Sequence, residues 1–267
     1  MATPATEAAI AGLAADWRNA DVLSGDTLLL HSNIQRTLRR AMKTWGRTEP
    51  ADILESFLTA LGPKGTLMLP LFNFSFTTGG AFDIRATPSE MGILTEAGRL
   101  HPRAVRTGHP IYSFAIIGAA AESCRGLANS SGYGSDSPFG LLRMLDGKIG
   151  VLDLPDQNSM TFYHHVEEML GIDYRYHKRF RGPYIDLDGS QTLREYGIFV
   201  RDVARGVQTR VDPMGEFLWQ QSLYRGSRPN KGAGLRTIRA RAMFDAVAAI
   251  IRTGRAKGLL YIEGETT

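Results

Sequence analysis

The sequence predicts an α/β fold: a central mixed, mainly parallel sheet with helices on both faces. Three observations carry that prediction. Apolar runs rich in Leu, Ile and Val alternate with amphipathic segments of helical period. No internal repeat, low-complexity tract or linker interrupts the 267 residues, so residues 1–267 read as one domain of ordinary size. Several strand-like runs end in polar residues, where open α/β sheets collect ligands.

Taken in order, MATPATEAAIAGLAADW lacks the basic start and continuous apolar block of a signal peptide. It reads as an amphipathic helix, with Ile10, Leu13 and Trp17 at helical spacing. Strands are expected at 26–32, 65–72, 112–118, 148–154, 184–189, 198–203 and 258–263. Helices are expected at 51–62, 89–100, 137–147, 159–171 and 234–254. The late strands flank LDGSQTLREYG and predict an antiparallel hairpin region. Polar residues gather at HSN (31–33), NFSF (73–76), HPIYS (109–113) and DQNSMTFYHH (156–165).

Composition narrows the function classes. The chain is 43% hydrophobic and 22% charged, and no run nears the roughly 20 apolar residues that span a bilayer. A balance of 31 Lys+Arg against 27 Asp+Glu is too mild for a dedicated nucleic-acid binder. One cysteine, Cys124, excludes an internal disulfide and suits a reducing compartment such as the cytoplasm. It lies at an expected helix end in AAAESCRG, outside any catalytic pattern. Basic residues thicken in YRYHKRFRG (174–182) and LRTIRARA (235–242). The first reads as a solvated, irregular loop; a nucleic-acid strip and a small phosphorylated-ligand site are its alternatives.

Familiar cofactor motifs are missing. There is no GxGxxG, Walker A, HExxH, paired CxxC or GxSxG. The segment TFYHHVEEMLG (161–171) is the distinctive one. On a helix at about 100° per residue, Phe162, Tyr163, Val166, Met169 and Leu170 share a core-facing arc. His164, Glu167 and Glu168 fall opposite, and His165 lies at the edge. His164 therefore meets Glu167 at i+3 or Glu168 at i+4. A carboxylate that fixes a histidine tautomer makes a general base; the plain alternative is a surface pair worth a few tenths of a kcal/mol. Adjacent histidines chelate one metal poorly from a helix, so no metal is expected.

These residues bring a family into view. LLLHSN, GPKGTLMLPLFNFSF, TPSEMGILTEAGRLHPRAVRTGHPIYS, YGSDSPFGLLRMLDGKIGVLDL and DQNSMTFYHHVEEMLGIDYR occur in order and at similar spacing. Together they resemble the aminoglycoside 3-N-acetyltransferases, coenzyme A-dependent enzymes distinct in fold from the GNAT acetyltransferases. The resemblance runs from about residue 26 to residue 262, and its flavour is closest to members tied to surface-polysaccharide sugar biosynthesis. It implies acetyl-CoA as cosubstrate and direct transfer to an amine. The family's H-x-x-E lands on His164 as base and Glu167 as its orienting partner, with His165 at a variable position.

The resemblance further implies coenzyme A contacts at His31, Ser32 and Asn33, with Phe74 and Ser113 as weaker candidates. Ser32 and Thr161 are oxyanion candidates, and His109 and Tyr112 are expected to line the site. Arg39, Arg40 or the 174–182 strip are expected to meet phosphates. Tyr112 stands where members often carry a second histidine. The mildly basic chain favours a nucleotide-linked amino sugar as acceptor over a polycationic aminoglycoside, which is the alternative. A non-catalytic sugar- or nucleotide-binding protein on the same scaffold is the rival from another class. Nucleic acid and membrane partners are not expected; a homodimer and O-acylation stay open.

Overall fold

The chain, described here from a computed structural model over residues 3–264, begins with α1 (Pro4–Asn19), β1 (Thr27–Ser32), α2 (Gln35–Trp45), α3 (Pro50–Leu61) and β2 (Thr66–Pro70). There follow β3 (Phe82–Asp83), α4 (Ile93–Arg99), β4 (Val105–Arg106), β5 (Phe114–Gly118), α5 (Pro138–Met144) and β6 (Lys148–Leu152). The second half holds α6 (Phe162–Leu170), β7 (Arg175–Ile185), β8 (Gln191–Arg201), β9 (Val207–Thr209) and α7 (Asp212–Gln220). It closes with β10 (Arg225–Gly226), β11 (Leu235–Arg239), α8 (Ala240–Arg252) and β12 (Tyr261–Glu263). The assignment of residues 1–267 to one domain extends past the described residues at both ends.

Seven strands form the central sheet in the order β10-β11-β6-β1-β2-β5-β4. Its middle is parallel, β6 and β2 flanking β1, and its outer ladders are antiparallel. The mixed sheet is as expected, with parallel pairing confined to the centre. The run Leu28-Leu29-Leu30 explains why helices cover both faces. Side chains alternate along a strand, so Leu28 and Leu30 join Leu67, Leu69 and Ile117 in one core with Trp17 of α1 and Phe57 of α3. Leu29 joins Met68, Phe114, Ile149 and Val151 in a second core with Phe139 of α5, Phe162 of α6 and Val247 of α8. The predicted N-terminal helix forms, and its Trp17 stacks on Phe57 at 4.5 Å between centroids. No helix among the described residues is long and apolar enough to cross a membrane.

Four expectations change. The basic strip at 174–182 is strand, not loop: β7 pairs antiparallel with β8 along its whole length, Arg175 opposite Arg201 and Ile185 opposite Gln191. The strands expected at 184–189 and 198–203 are parts of this hairpin, which turns at Asp186–Ser190. The helix expected at 234–254 begins only at Ala240; Leu235–Arg239 is held as strand between β6 and β10, with Arg236 in a buried pair to Asp156. Helices α2 and α7 escape the periodicity argument, α2 because it buries only Thr37 and Ala41.

That buried pair fixes the approach to α6. Asp156 lies in a short 3₁₀ turn just ahead of the helix. Its Oδ1 accepts from Arg236 at 2.7 Å, and its Oδ2 from the hydroxyls of Tyr163 at 2.7 Å and Tyr224 at 2.8 Å. Gly215 permits this packing: a Cβ there would sit 2.5 Å from the Asp156 carboxyl carbon. Removing the acid strands a buried guanidinium, which costs far more than the pair gains net. Asp156→Ala is therefore expected to lower the unfolding free energy by about 3–5 kcal/mol, read as a lower urea midpoint at unchanged slope; a loss under about 1 kcal/mol would contradict this account.

Candidate active site

Helix α6 carries the histidine pair and ends at Gly171, which takes the left-handed conformation at φ 58°. His164 Nδ1 lies 2.8 Å from Glu167 Oε2. An ionised carboxylate can only accept, so Nδ1 carries the proton and Nε2 keeps its lone pair. Nε2 makes no hydrogen bond to protein among the described residues.

The helical wheel needs one correction. Glu167 is 1% exposed, not solvated, because β7 folds over it. Tyr174 donates its hydroxyl to Glu167 Oε1 at 3.1 Å. The Arg175 guanidinium Nε lies 2.7 Å from Oε2, an ion pair too poorly aligned to be a hydrogen bond. Arg175 is itself fixed, donating to the Phe199 carbonyl and to Thr209 Oγ1. Burial works to raise the Glu167 pKa, but Arg175, His164 and Tyr174 outweigh it and hold the carboxyl below its usual range. Burial and the Arg175 and Arg201 charges pull His164 below the ordinary histidine value, against the pull of Glu167. The outcome is a neutral imidazole, oriented at one nitrogen and free at the other. Glu168 is committed elsewhere, accepting from Ser131 Oγ at 2.8 Å.

His164 is 19% exposed and opens on a cleft of about 710 Å³. The face of the β7–β8 hairpin bearing Tyr176, Lys178, Phe180, Ile198 and Val200 forms one wall; Phe74, Tyr112 and Tyr133 form another. Arg175 and Arg201 add to Lys178, and no carboxylate lines the cleft among the described residues. Lys178 and Arg201 have no ion-pair partner there either. The aromatics are in contact: Tyr133 with His164 at 5.2 Å, Tyr112 with Tyr133 at 4.7 Å, and Phe74 with Tyr112 at 5.9 Å between centroids.

The structure therefore brings His164, Tyr112 and Phe74 together, with Glu167 behind the histidine. Other predicted site residues sit differently. His109 does not line the cleft. It is fully buried, its Nε2 donating to the Gly197 carbonyl at 3.2 Å and its Nδ1 accepting from the Tyr112 backbone at 3.0 Å. Ser113 is also consumed by the fold, accepting from Arg106 and donating to the Leu71 carbonyl. Asn33 accepts from the Gln35 backbone N–H in a turn just ahead of α2. Thr161 precedes α6 by one residue and its carbonyl accepts from the His164 N–H, but it is absent from the cleft wall. Arg40 is paired with Asp16 at 2.6 Å, and neither Arg40 nor Arg39 lines the cleft.

His31 and Ser32 remain open. They end β1 at the carboxyl edge of the parallel strands, and both His31 Nε2 and Ser32 Oγ are buried without partners. Such orphans are costly unless a ligand or water satisfies them. Sequence reasoning named Arg175 and Lys178 only as part of the 174–182 phosphate strip, and missed Arg201 and Tyr133. For the two β7 residues the available signal was period-two alternation through Tyr176, Lys178 and Phe180.

Three comparisons bear on this geometry. The family model described as aminoglycoside 3-N-acetyltransferase matches residues 30–252. Aminoglycoside N(3)-acetyltransferase VII of Streptomyces paromomycinus is 26% identical over 204 residues, covering 69% of this chain and 68% of that protein. Two solved structures share the fold: AAC-IIIb in binary complex with CoASH, and sisomicin-bound AAC-VIa. The first has a TM-score of 0.77 at 21% identity, over 92% of this chain and 96% of that one. The second has a TM-score of 0.75 at 18% identity, over 92% and 98%.

Three buried histidines predict how stability follows pH. Burial lowers His31 to about 3, and His109 and His165 to about 4. A histidine depressed in the folded state contributes stability that is full above its unfolded value near 6.5 and lost as pH falls toward the folded value. Each should cost roughly 2 kcal/mol between neutrality and pH 5. Urea unfolding at the two pH values checks this, and equal or greater stability at pH 5 would contradict it.

Proposed function

The chain belongs to the aminoglycoside 3-N-acetyltransferase family, and on that premise we propose that it transfers an acetyl group from acetyl-CoA to the amine of an anionic, nucleotide-linked amino sugar. The observation that carries the acceptor class is the cationic lining of the cleft beside His164. A polycationic aminoglycoside would meet Lys178 and Arg201 with no carboxylate to offset them, and like charges in a partly desolvated site repel by several kcal/mol. A nucleotide diphosphate would be attracted to the same two residues. Tyr176 and Phe74, both substantially exposed in the cleft, offer flat faces for a base or sugar.

His164 Nε2 takes a proton from the acceptor amine as its nitrogen attacks the thioester carbonyl. The new bond is N–C, the bond that breaks is C–S, and the imidazolium returns its proton to the departing thiolate. Glu167 keeps Nδ1–H in place throughout and stabilises the charged ring, as general-base catalysis requires. The unpartnered His31 Nε2 and Ser32 Oγ fit coenzyme A at the strand ends, where the pantetheine amides could satisfy both.

The names of the relatives favour a second reading, transfer to an aminoglycoside itself. Turnover decides between the two. A nucleotide-linked amino sugar is expected to give the higher kcat/KM; a large excess for aminoglycosides would overturn the acceptor assignment. Lys178→Glu combined with Arg201→Glu should weaken the anionic acceptor at least tenfold, about 1.4 kcal/mol, while leaving acetyl-CoA binding intact. His164→Asn should lower kcat by about 10²–10⁴ and keep the thermal stabilisation by acetyl-CoA; unchanged activity would remove His164 as the base and favour a non-catalytic binder.

A further inference from the structure

The structure assigns a second ligand site to the cleft between α5, α6 and α8, where His165 accepts a hydrogen bond from a protonated phosphoryl group held by Arg143 and Arg241. This cleft, about 400 Å³, is lined by Ser135, Arg143, His165, Arg241 and Asp245, and shares no lining residue with the cleft at His164. It rests on none of the chemistry proposed there.

His165 supplies the specific part. Its Nδ1 lies 2.7 Å from the Tyr133 carbonyl oxygen, and a carbonyl can only accept, so the ring proton sits on Nδ1. Nε2 is then a bare acceptor. The side chain is 1% exposed, and Nε2 has no partner. Burial keeps the ring neutral near pH 7, its pKa lowered to about 4. A group that satisfies Nε2 must bring an O–H or N–H.

The rim supplies the charge. Arg143 is half-buried over the Phe244 ring at 3.3 Å, and its guanidinium makes no hydrogen bond or ion pair among the described residues. Burial and the nearby Arg241 charge lower its pKa, with Asp245 opposing. Arg241 is anchored through Nε and Nη2 to the Arg143 and Met144 carbonyls, which leaves Nη1 unengaged. Asp245 forms no ion pair among the described residues and can accept from a second P–OH. Two guanidiniums against one carboxylate favour an anion, and guanidinium suits phosphate oxygens. Inorganic phosphate keeps at least one P–OH at neutral pH; sulfate keeps none.

The test uses the full chain labelled with ¹⁵N-histidine and follows the His165 ring nitrogens near neutral pH. Inorganic phosphate is expected to shift Nε2 selectively, and sulfate to bind at least tenfold more weakly, the worth of one lost charge-assisted hydrogen bond. Arg143→Gln should weaken phosphate, and His165→Phe should erase the preference for phosphate over sulfate. Methyl phosphate below its second pKa, about 6, separates the sources: binding as tight as phosphate supports the phosphoryl end of a larger metabolite, and weaker binding supports the free ion. No Nε2 shift with phosphate, or equal affinity for sulfate, would overturn the site and leave a hydrated cleft.

Discussion

The buried carboxylate of Glu167 is the constraint on which the site depends. Removed from water, it would be expensive alone. It persists because three side chains converge on it: His164 Nδ1 from α6, the Tyr174 hydroxyl from the residue just ahead of β7, and the Arg175 guanidinium from the first residue of β7. Arg175 is held in turn by the Phe199 carbonyl of β8 and by Thr209 of β9. Helix α6, the hairpin and the small β9–β12 sheet therefore share one charge cluster. A change at Arg175 would act on the histidine without touching it.

The same cluster explains how the site separates orientation from electrostatics. Glu167 alone would hold His164 protonated to higher pH. Burial first, then the charges of Arg175 and Arg201, outweigh that pull, so the His164 pKa lies below its ordinary value while its Nδ1–H remains anchored. A base must be free of its proton to work, and in the proposed reaction the anchored tautomer leaves Nε2 as the accepting atom. The cations that act with burial on His164 also set the sign of the cleft beside it. In the proposed reaction, base strength and acceptor charge are two consequences of one set of side chains.

How far the sequence foretold this varies with the physics involved. Helical spacing left His164 with Glu167 or Glu168, the family's H-x-x-E pattern chose Glu167, and the apolar strands follow from composition and period. The burial of Glu167 does not, because its partners come from a segment with no apolar face. Tyr176, Lys178 and Phe180 alternate with His177, Arg179 and Arg181, and such a strand is stabilised by its ladder with β8 rather than by a hydrophobic pattern. His109 and Ser113 show the opposite failure. Polar residues at strand ends invite a functional reading, yet here they satisfy backbone groups that would otherwise be buried unpaired. The strand at 235–239 is built by its ladder with Lys148–Leu152, far earlier in the chain, and no local window contains that partner.

The most direct measurement is the pH titration of the His164 ring nitrogens by ¹⁵N NMR in the unliganded protein. The account requires the proton on Nδ1, a bare Nε2 and a midpoint below the free-histidine value of about 6.5. A midpoint above that value, or a neutral form protonated on Nε2, would mean that Glu167 dominates over Arg175 or does not orient the ring, and His164 would not be the poised base described here.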